Sequence, residues 1–181
     1  MFNIPHATEA IWNAQKTTLL ENGSPLNKVM TSADFSAIEK VWGYPLPEAY
    51  KAFTSTYGCP VFYDYVPCHF IYKYEHGGTT KYSEGKLNSF CDARTVIVTH
   101  HYMIADPDNA TEEPFFPRFM LPFAGDPGQG KILLELSSDT PRVWFWEDQP
   151  EAFGQGDNLQ LGLVAENLCE FINRLTSDPF N

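Results

Sequence analysis

Two adjacent histidines, His100 and His101, are the residues in this 181-residue chain whose side chains are best suited to proton transfer. An imidazole changes charge near neutral pH, but catalysis also needs a partner to orient it, and metal chelation needs a spacing such as H-E-x-x-H. Neither accompanies the pair. No serine lies in a G-x-S-x-G elbow. Asp126-x-Gly128-x-Gly130 has the outline of a phosphate cradle, yet a cradle feeds a helix N-terminus and here a strand-like run follows, so the segment reads as a turn. Glu112-Glu113 and Glu147-Asp148 are paired carboxylates. General acid–base work wants a carboxyl in an apolar cleft, whereas these pairs sit in polar surroundings where solvation is the ordinary state. The four cysteines, Cys59, Cys68, Cys91 and Cys169, form no C-x-x-C pair. Cys68 and His69 adjoin, but neighbours on a strand point to opposite faces, so they do not chelate together. The expectation is four reduced, buried thiols, no metal and no cofactor. A hydrolase built on His100 or His101 is the weakest function this chemistry supports, and a non-enzymatic binding protein the strongest.

Charge points the same way. The formal net charge is −11, and it is unevenly placed. Residues 1–104 hold nine acidic and eight basic side chains, whereas residues 105–181 hold fourteen acidic and four basic. Phosphates are repelled by such a chain, so nucleic acid is excluded as a partner and a basic protein is favoured. No apolar run is long enough to span a membrane, and no basic-then-apolar leader opens the sequence, so the expected location is cytoplasmic. An aromatic content of 15% argues for a packed core rather than disorder, and 181 residues suit one domain, 1–181.

The elements that must position these groups are legible in part. Residues 119–124, 131–136 and 142–147 alternate β-branched and aromatic residues between turns at 126–130 and 137–141, which predicts antiparallel strands. In the last of them Val143 and Phe145 oppose Trp144 and Trp146, so both faces need cover. Helices are expected over 9–21 after Thr8, over a run capped by Thr31 or Ser32 with Phe35, Ile38 and Trp42 on one stripe, and over a run with Pro47 in its first turn and Tyr50, Phe53 and Tyr57 inward. Gly43 and Gly58 end the last two. Residues 61–65 and 69–74 look like strands around a turn at Val66-Pro67, and the polar stretch from Gly78 to Asn88 lacks the apolar residues of a strand interior. Residues 159–176 read as the clearest helix, with Val164, Leu168, Phe171, Ile172 and Leu175 on one stripe. The fold class is α+β: a mostly antiparallel sheet with N-terminal helices and a C-terminal helix packed against it. Leu134, Trp144 or Trp146, Leu168, Phe171, Phe53 and Trp42 are the expected core.

Several of these runs resemble the SUKH superfamily. The residues concerned are the strand ending Leu121-Pro122-Phe123-Ala124, the turn with Asp126, Gly128 and Gly130, the aliphatic strand after it and the strand ending Trp146-Glu147-Asp148. Ile38-Glu39 through Gly43, then Leu46-Pro47-x-x-Tyr50-x-x-Phe53 and Tyr57-Gly58, is similar to the N-terminal signature of that superfamily, and Val164 through Leu175 to its last helix. The likeness covers about residues 35–176. It implies an α+β domain that acts through protein contacts: an immunity protein that occludes a cognate toxin domain, often a nuclease or deaminase, or else a regulatory adaptor for endogenous partners. It also implies a helix within 90–103, where Thr95 to Thr99 has strand propensity and Ser89 can cap a helix.

The partner site is expected on the acidic loops, at Asp106, Asp108, Glu112, Glu113, Glu147, Asp148 and Glu151, with Phe115, Phe116 and Phe153 as exposed aromatics nearby. These loops carry the densest charge of the acidic half, and variable recognition is usually carried on loops held by a rigid scaffold.

Overall fold

A computed structural model describes residues 29–62, 68–104, 114–147 and 161–176. The chain begins with helices α1 (Ser32–Trp42) and α2 (Glu48–Tyr57). Thr31 caps α1 reciprocally: its hydroxyl accepts from the Asp34 amide, and the Asp34 carboxylate accepts from the Thr31 amide at 2.8 Å. Gly43 closes α1 in the left-handed region, at φ 74°, where a side chain would be strained. The expected stripes hold: Ile38, Trp42, Tyr50 and Phe53 are buried, while Phe35 and Tyr57 are partly so. Pro47 sits one position earlier than expected, as the extended residue just before the first turn of α2.

Strands β1 (His69–His76), β2 (Thr79–Lys86) and β3 (Ser89–Phe90) follow, then helix α3 (Ala93–Met103), strands β4 (Met120–Gly125), β5 (Lys131–Glu135), β6 (Val143–Trp146) and β7 (Leu161–Ala165), and helix α4 (Leu168–Arg174). The seven strands form one sheet in the order β2-β1-β7-β6-β5-β4-β3, and every pairing is antiparallel. The α+β class expected from the sequence is the class found. Leu134, Trp146, Leu168 and Phe171 are buried as expected, while Trp144 is only half-buried.

Three expected elements differ. The polar run after Gly78 is a strand: β2 pairs along its whole length with β1, from His76↔Thr79 to His69↔Lys86. It is an edge strand and needs no apolar face, because only Gly85 within it is buried. Gly77 and Gly78, at φ 58° and 74°, supply the tight turn that joins the two strands. Residues 159–176 are not one helix. Leu161–Ala165 is a strand between β1 and β6, and the helix starts only at Leu168. The break is written in side chains: Asn167 Oδ1 accepts the Glu170 amide at 2.9 Å, while Glu170 Oε2 accepts the Glu166 amide at 2.8 Å. Within 90–103 the helix is present, but Asp92 caps it rather than Ser89, accepting the Thr95 amide at 2.8 Å. Val61 makes only a bridge to Ser89. The predicted helix over 9–21 lies outside the described residues, as do 63–65 of the predicted first strand and its turn at Val66-Pro67.

One face of the sheet carries an aromatic core. Phe70, Phe123 and Phe90 each meet Phe171 of α4, at centroid separations of 6.0, 5.7 and 6.5 Å, and Phe145 meets Phe70 at 5.3 Å. On the other face Glu135, buried to 8% exposure, accepts from Arg142 Nε at 2.9 Å and from Trp144 Nε1 at 3.3 Å, and the Arg142 guanidinium lies 4.8 Å over the Trp144 ring. That arrangement satisfies a carboxylate which would otherwise be costly to bury. The four cysteines are free. Cys59, Cys68 and Cys91 are buried, and burial pushes each thiol up to about 12. Cys169 corrects the expectation: it points outward from α4 and is exposed.

Candidate functional site

Pairing between β5 and β6 decides what gathers at the acidic end of the sheet. Lys131 is opposite Trp146, so the turn over 126–130 lies beside the end of β6, where Glu147 follows. Asp126 heads that turn. Its amide donates to the Gly130 carbonyl at 3.2 Å, and Gln129 takes a left-handed φ of 73°. The Asp126 carboxyl accepts amides of Gly128 and Gly130, and its Oδ1 is buried without a hydrogen-bond partner among the described residues. The Asp-x-Gly-x-Gly sequence is thus a β-turn running into a strand, as its residues suggested.

Glu147 is half-buried and accepts a hydrogen bond from the Tyr72 hydroxyl on β1. Both carboxyls are shifted upward. For Asp126 the cause is burial, offset by the turn amides and Lys131; for Glu147 it is burial, then repulsion from Asp126. A raised carboxyl pKa means that the folded state holds the proton more tightly than the unfolded chain. The ionised forms therefore weaken the fold above the folded pKa values, and the penalty fades as pH falls through them toward the ordinary values of 3.8 and 4.5. Asp126→Asn and Glu147→Gln are expected to raise the melting temperature at pH 7 and to leave it unchanged near pH 3. Thermal scans at the two pH values check this, and a lower melting temperature at pH 7 for both variants overturns it.

Of the ten residues nominated for partner contact, three are described. Phe115 is 52% exposed and touches the Trp146 ring edge-on at 5.9 Å. Phe116 is a correction: it is 2% exposed and packs on the same indole at 5.9 Å, so it is a core residue that holds the segment down. Glu147 lies at the rim beside Trp146. Asp106, Asp108, Glu112, Glu113, Asp148, Glu151 and Phe153 lie outside the described residues. Asp126 and Tyr72 were missed. Asp126 was seen only as a turn residue, and nothing in the sequence links it to Glu147 until the β5–β6 register is known.

The histidines divide. His101 is exposed, while His100 packs edge-on against Trp42 of α1 at 4.6 Å. Its pKa is lowered, first by burial and then by Arg118 and His101, which keeps it neutral as part of the α1–α3 contact. Among the described residues no group of three or more His, Cys, Asp or Glu side chains is arranged to hold a metal ion, and no helix is long and apolar enough to cross a membrane.

Comparison with known proteins places these observations. The family model described as SMI1 / KNR4 family (SUKH-1) matches residues 30–174, from just before α1 through the end of α4. No curated protein and no solved structure matches the chain.

Proposed function

The chain belongs to the SMI1/KNR4 family (SUKH-1), and from that premise we propose that it is an intracellular immunity protein that binds a basic toxin domain and covers its substrate cleft. The family match carries the reading. Support comes from the net charge of −11, with fourteen of the 23 acidic residues after residue 104. Further support comes from the exposed Phe115, which stands on the buried Trp146 beside Glu147. An aromatic held by a rigid scaffold loses little freedom on binding, and surrounding carboxylates speed the encounter with a cationic surface. The family match equally suits a regulatory adaptor for endogenous partners. A gene for a large secreted protein with a toxin-like C-terminus beside the coding gene favours the immunity reading, and its absence the adaptor.

Charge reversal tests the site. Changing Asp106, Asp108, Glu112 and Glu113 to Lys is expected to slow association with the cognate toxin domain about tenfold and to flatten its salt dependence, with folding unaffected. Reversal at Glu147, Asp148 and Glu151 is expected to act in the same direction. Association rates and a salt dependence that match those of the unmodified chain in both variants remove the acidic loops from the interface.

A further inference from the structure

At the opposite end of β5 from the Asp126 turn, two corners of the chain border a groove of about 550 Å³. One lip is the corner between α1 and α2, with Pro45, Pro47 and Glu48. The other is the turn between β5 and β6, with Leu136, Asp139 and Pro141. Both lips are held from behind. Glu39 of α1 accepts the Leu46 amide at 2.9 Å and pairs with Lys51 of α2 at 2.9 Å, which fixes the first corner. In the second, the Ser138 hydroxyl accepts the Thr140 amide at 3.2 Å, and the Glu135 amide donates to the Arg142 carbonyl at 3.0 Å across the base of the turn. The three prolines add walls whose backbone φ is already set, so the groove is formed before anything enters it.

Its charges are of one sign. Glu48 and Asp139 are the charged residues that line it, and both are exposed. The nearest cations along the chain are committed elsewhere: Lys51 to Glu39, and Arg142 to Glu135 at 2.9 Å with its guanidinium over Trp144. Lys51 reaches Glu48 only at 3.5 Å, and Glu48 also stands in the first turn of α2, where it offsets the positive helix end. Asp139 has no such offset, since its carboxylate makes no ion pair among the described residues. Apolar walls with a carboxylate at the rim fit one class of side chain, a long unbranched stem that ends in a cation. We propose that this groove takes one lysine or arginine side chain of a basic protein partner, with the stem along Pro47 and Pro141 and the charged head at Asp139. Glu48 adds a second, weaker attraction, and both carboxylates repel an acidic side chain. This rests on the reading of the chain as a binder of basic proteins, and it names a contact at the other end of the β5–β6 hairpin from Glu147.

Nuclear magnetic resonance titration of the full chain tests this with three capped peptides: Gly-Arg-Gly, its uncharged isostere with citrulline in place of arginine, and Gly-Glu-Gly. The arginine peptide is expected to shift the amides of Ala49, Ser137, Ser138 and Asp139 saturably, and to bind more weakly as salt rises. The citrulline peptide is expected to bind at least threefold more weakly, and the glutamate peptide to leave these amides unmoved. Asp139→Asn is expected to weaken the arginine peptide at least threefold at an unchanged urea midpoint, and the citrulline comparison needs no variant at all. The proposal is overturned by the absence of a saturable shift at these amides, by equal binding of the arginine and citrulline peptides, or by undiminished binding to folded Asp139→Asn. A dimer in sedimentation that Asp139→Asn dissolves gives the groove to a second copy of the chain and also overturns it. The peptides require no toxin, and toxin association after charge reversal in the acidic loops is a separate readout, so the groove and the immunity reading fail independently.

Discussion

Phe171→Ala is expected to destabilise the chain by about 3–5 kcal/mol, the range for truncating a fully packed phenylalanine. The ring is 1% exposed and joins three strands at once, touching Phe70 of β1, Phe90 of β3 and Phe123 of β4. β1 lies near one end of the sheet order and the paired β4 and β3 at the other, so α4 acts through this ring as a clamp across the sheet. The surrounding rings are themselves held by further rings, which limits collapse into the space left behind. Folded domains are stable by only about 5–15 kcal/mol, so the variant is expected to lie near the limit of folding at physiological temperature. Urea unfolding checks this through a lower midpoint at unchanged slope. Phe115→Ala, at an exposed ring, is the contrast and is expected to shift stability by no more than about 0.5 kcal/mol. A loss below about 1 kcal/mol for Phe171→Ala shows that the clamp is not rigid.

Gly85→Ala is expected to cost about 1–3 kcal/mol although it adds a single methyl group to an edge strand. Gly85 is opposite Phe70, and the Phe70 ring folds across the space where a side chain on Gly85 would stand. A methyl there would come within 3.0 Å of three ring carbons. The ring cannot retreat, because Phe145 and Phe171 are packed on its other sides. A smaller side chain at position 70 makes room. The double variant Gly85→Ala, Phe70→Leu is therefore expected to be less destabilised than the sum of the two single changes, by about 1 kcal/mol or more. Additive losses in urea unfolding contradict the contact.

Gly85 also explains why β2 is hard to find in the sequence. A strand that buries only a glycine has no apolar alternation to display, and the signal sits in Phe70 on the neighbouring strand. β7 was hidden for the opposite reason. Leu161, Leu163, Val164 and Ala165 suit a strand, but Val164 is also four residues from Leu168 and continues the helical stripe through Ile172 and Leu175. Only Asn167 and Glu170, which cap each other's turn, mark the boundary. The hairpin of β5 and β6 was plain because its strands alternate and its turns are polar. The acidic half of the chain was equally plain, since charge needs no geometry. The burial of Phe116 beside an exposed Phe115 was not, because two adjacent phenylalanines in an irregular segment give no period from which to choose.

The position of β7 has a consequence for how this protein is made. In the strand order, residues 161–165 lie between the β1–β2 hairpin and β6 and pair with both. While the chain emerges from the ribosome, the hairpin, complete at Lys86, waits some 75 residues for Leu161, and the β4–β6 meander, complete at Trp146, waits some 15, with the strand between them still unmade. Each then presents an unpaired inner edge, and the edge at β6 carries Val143, Trp144, Phe145 and Trp146. Unpaired edges of that composition recruit other strands, so a nascent chain paused before residue 161 is the form most prone to aggregate and the form a chaperone would be asked to hold.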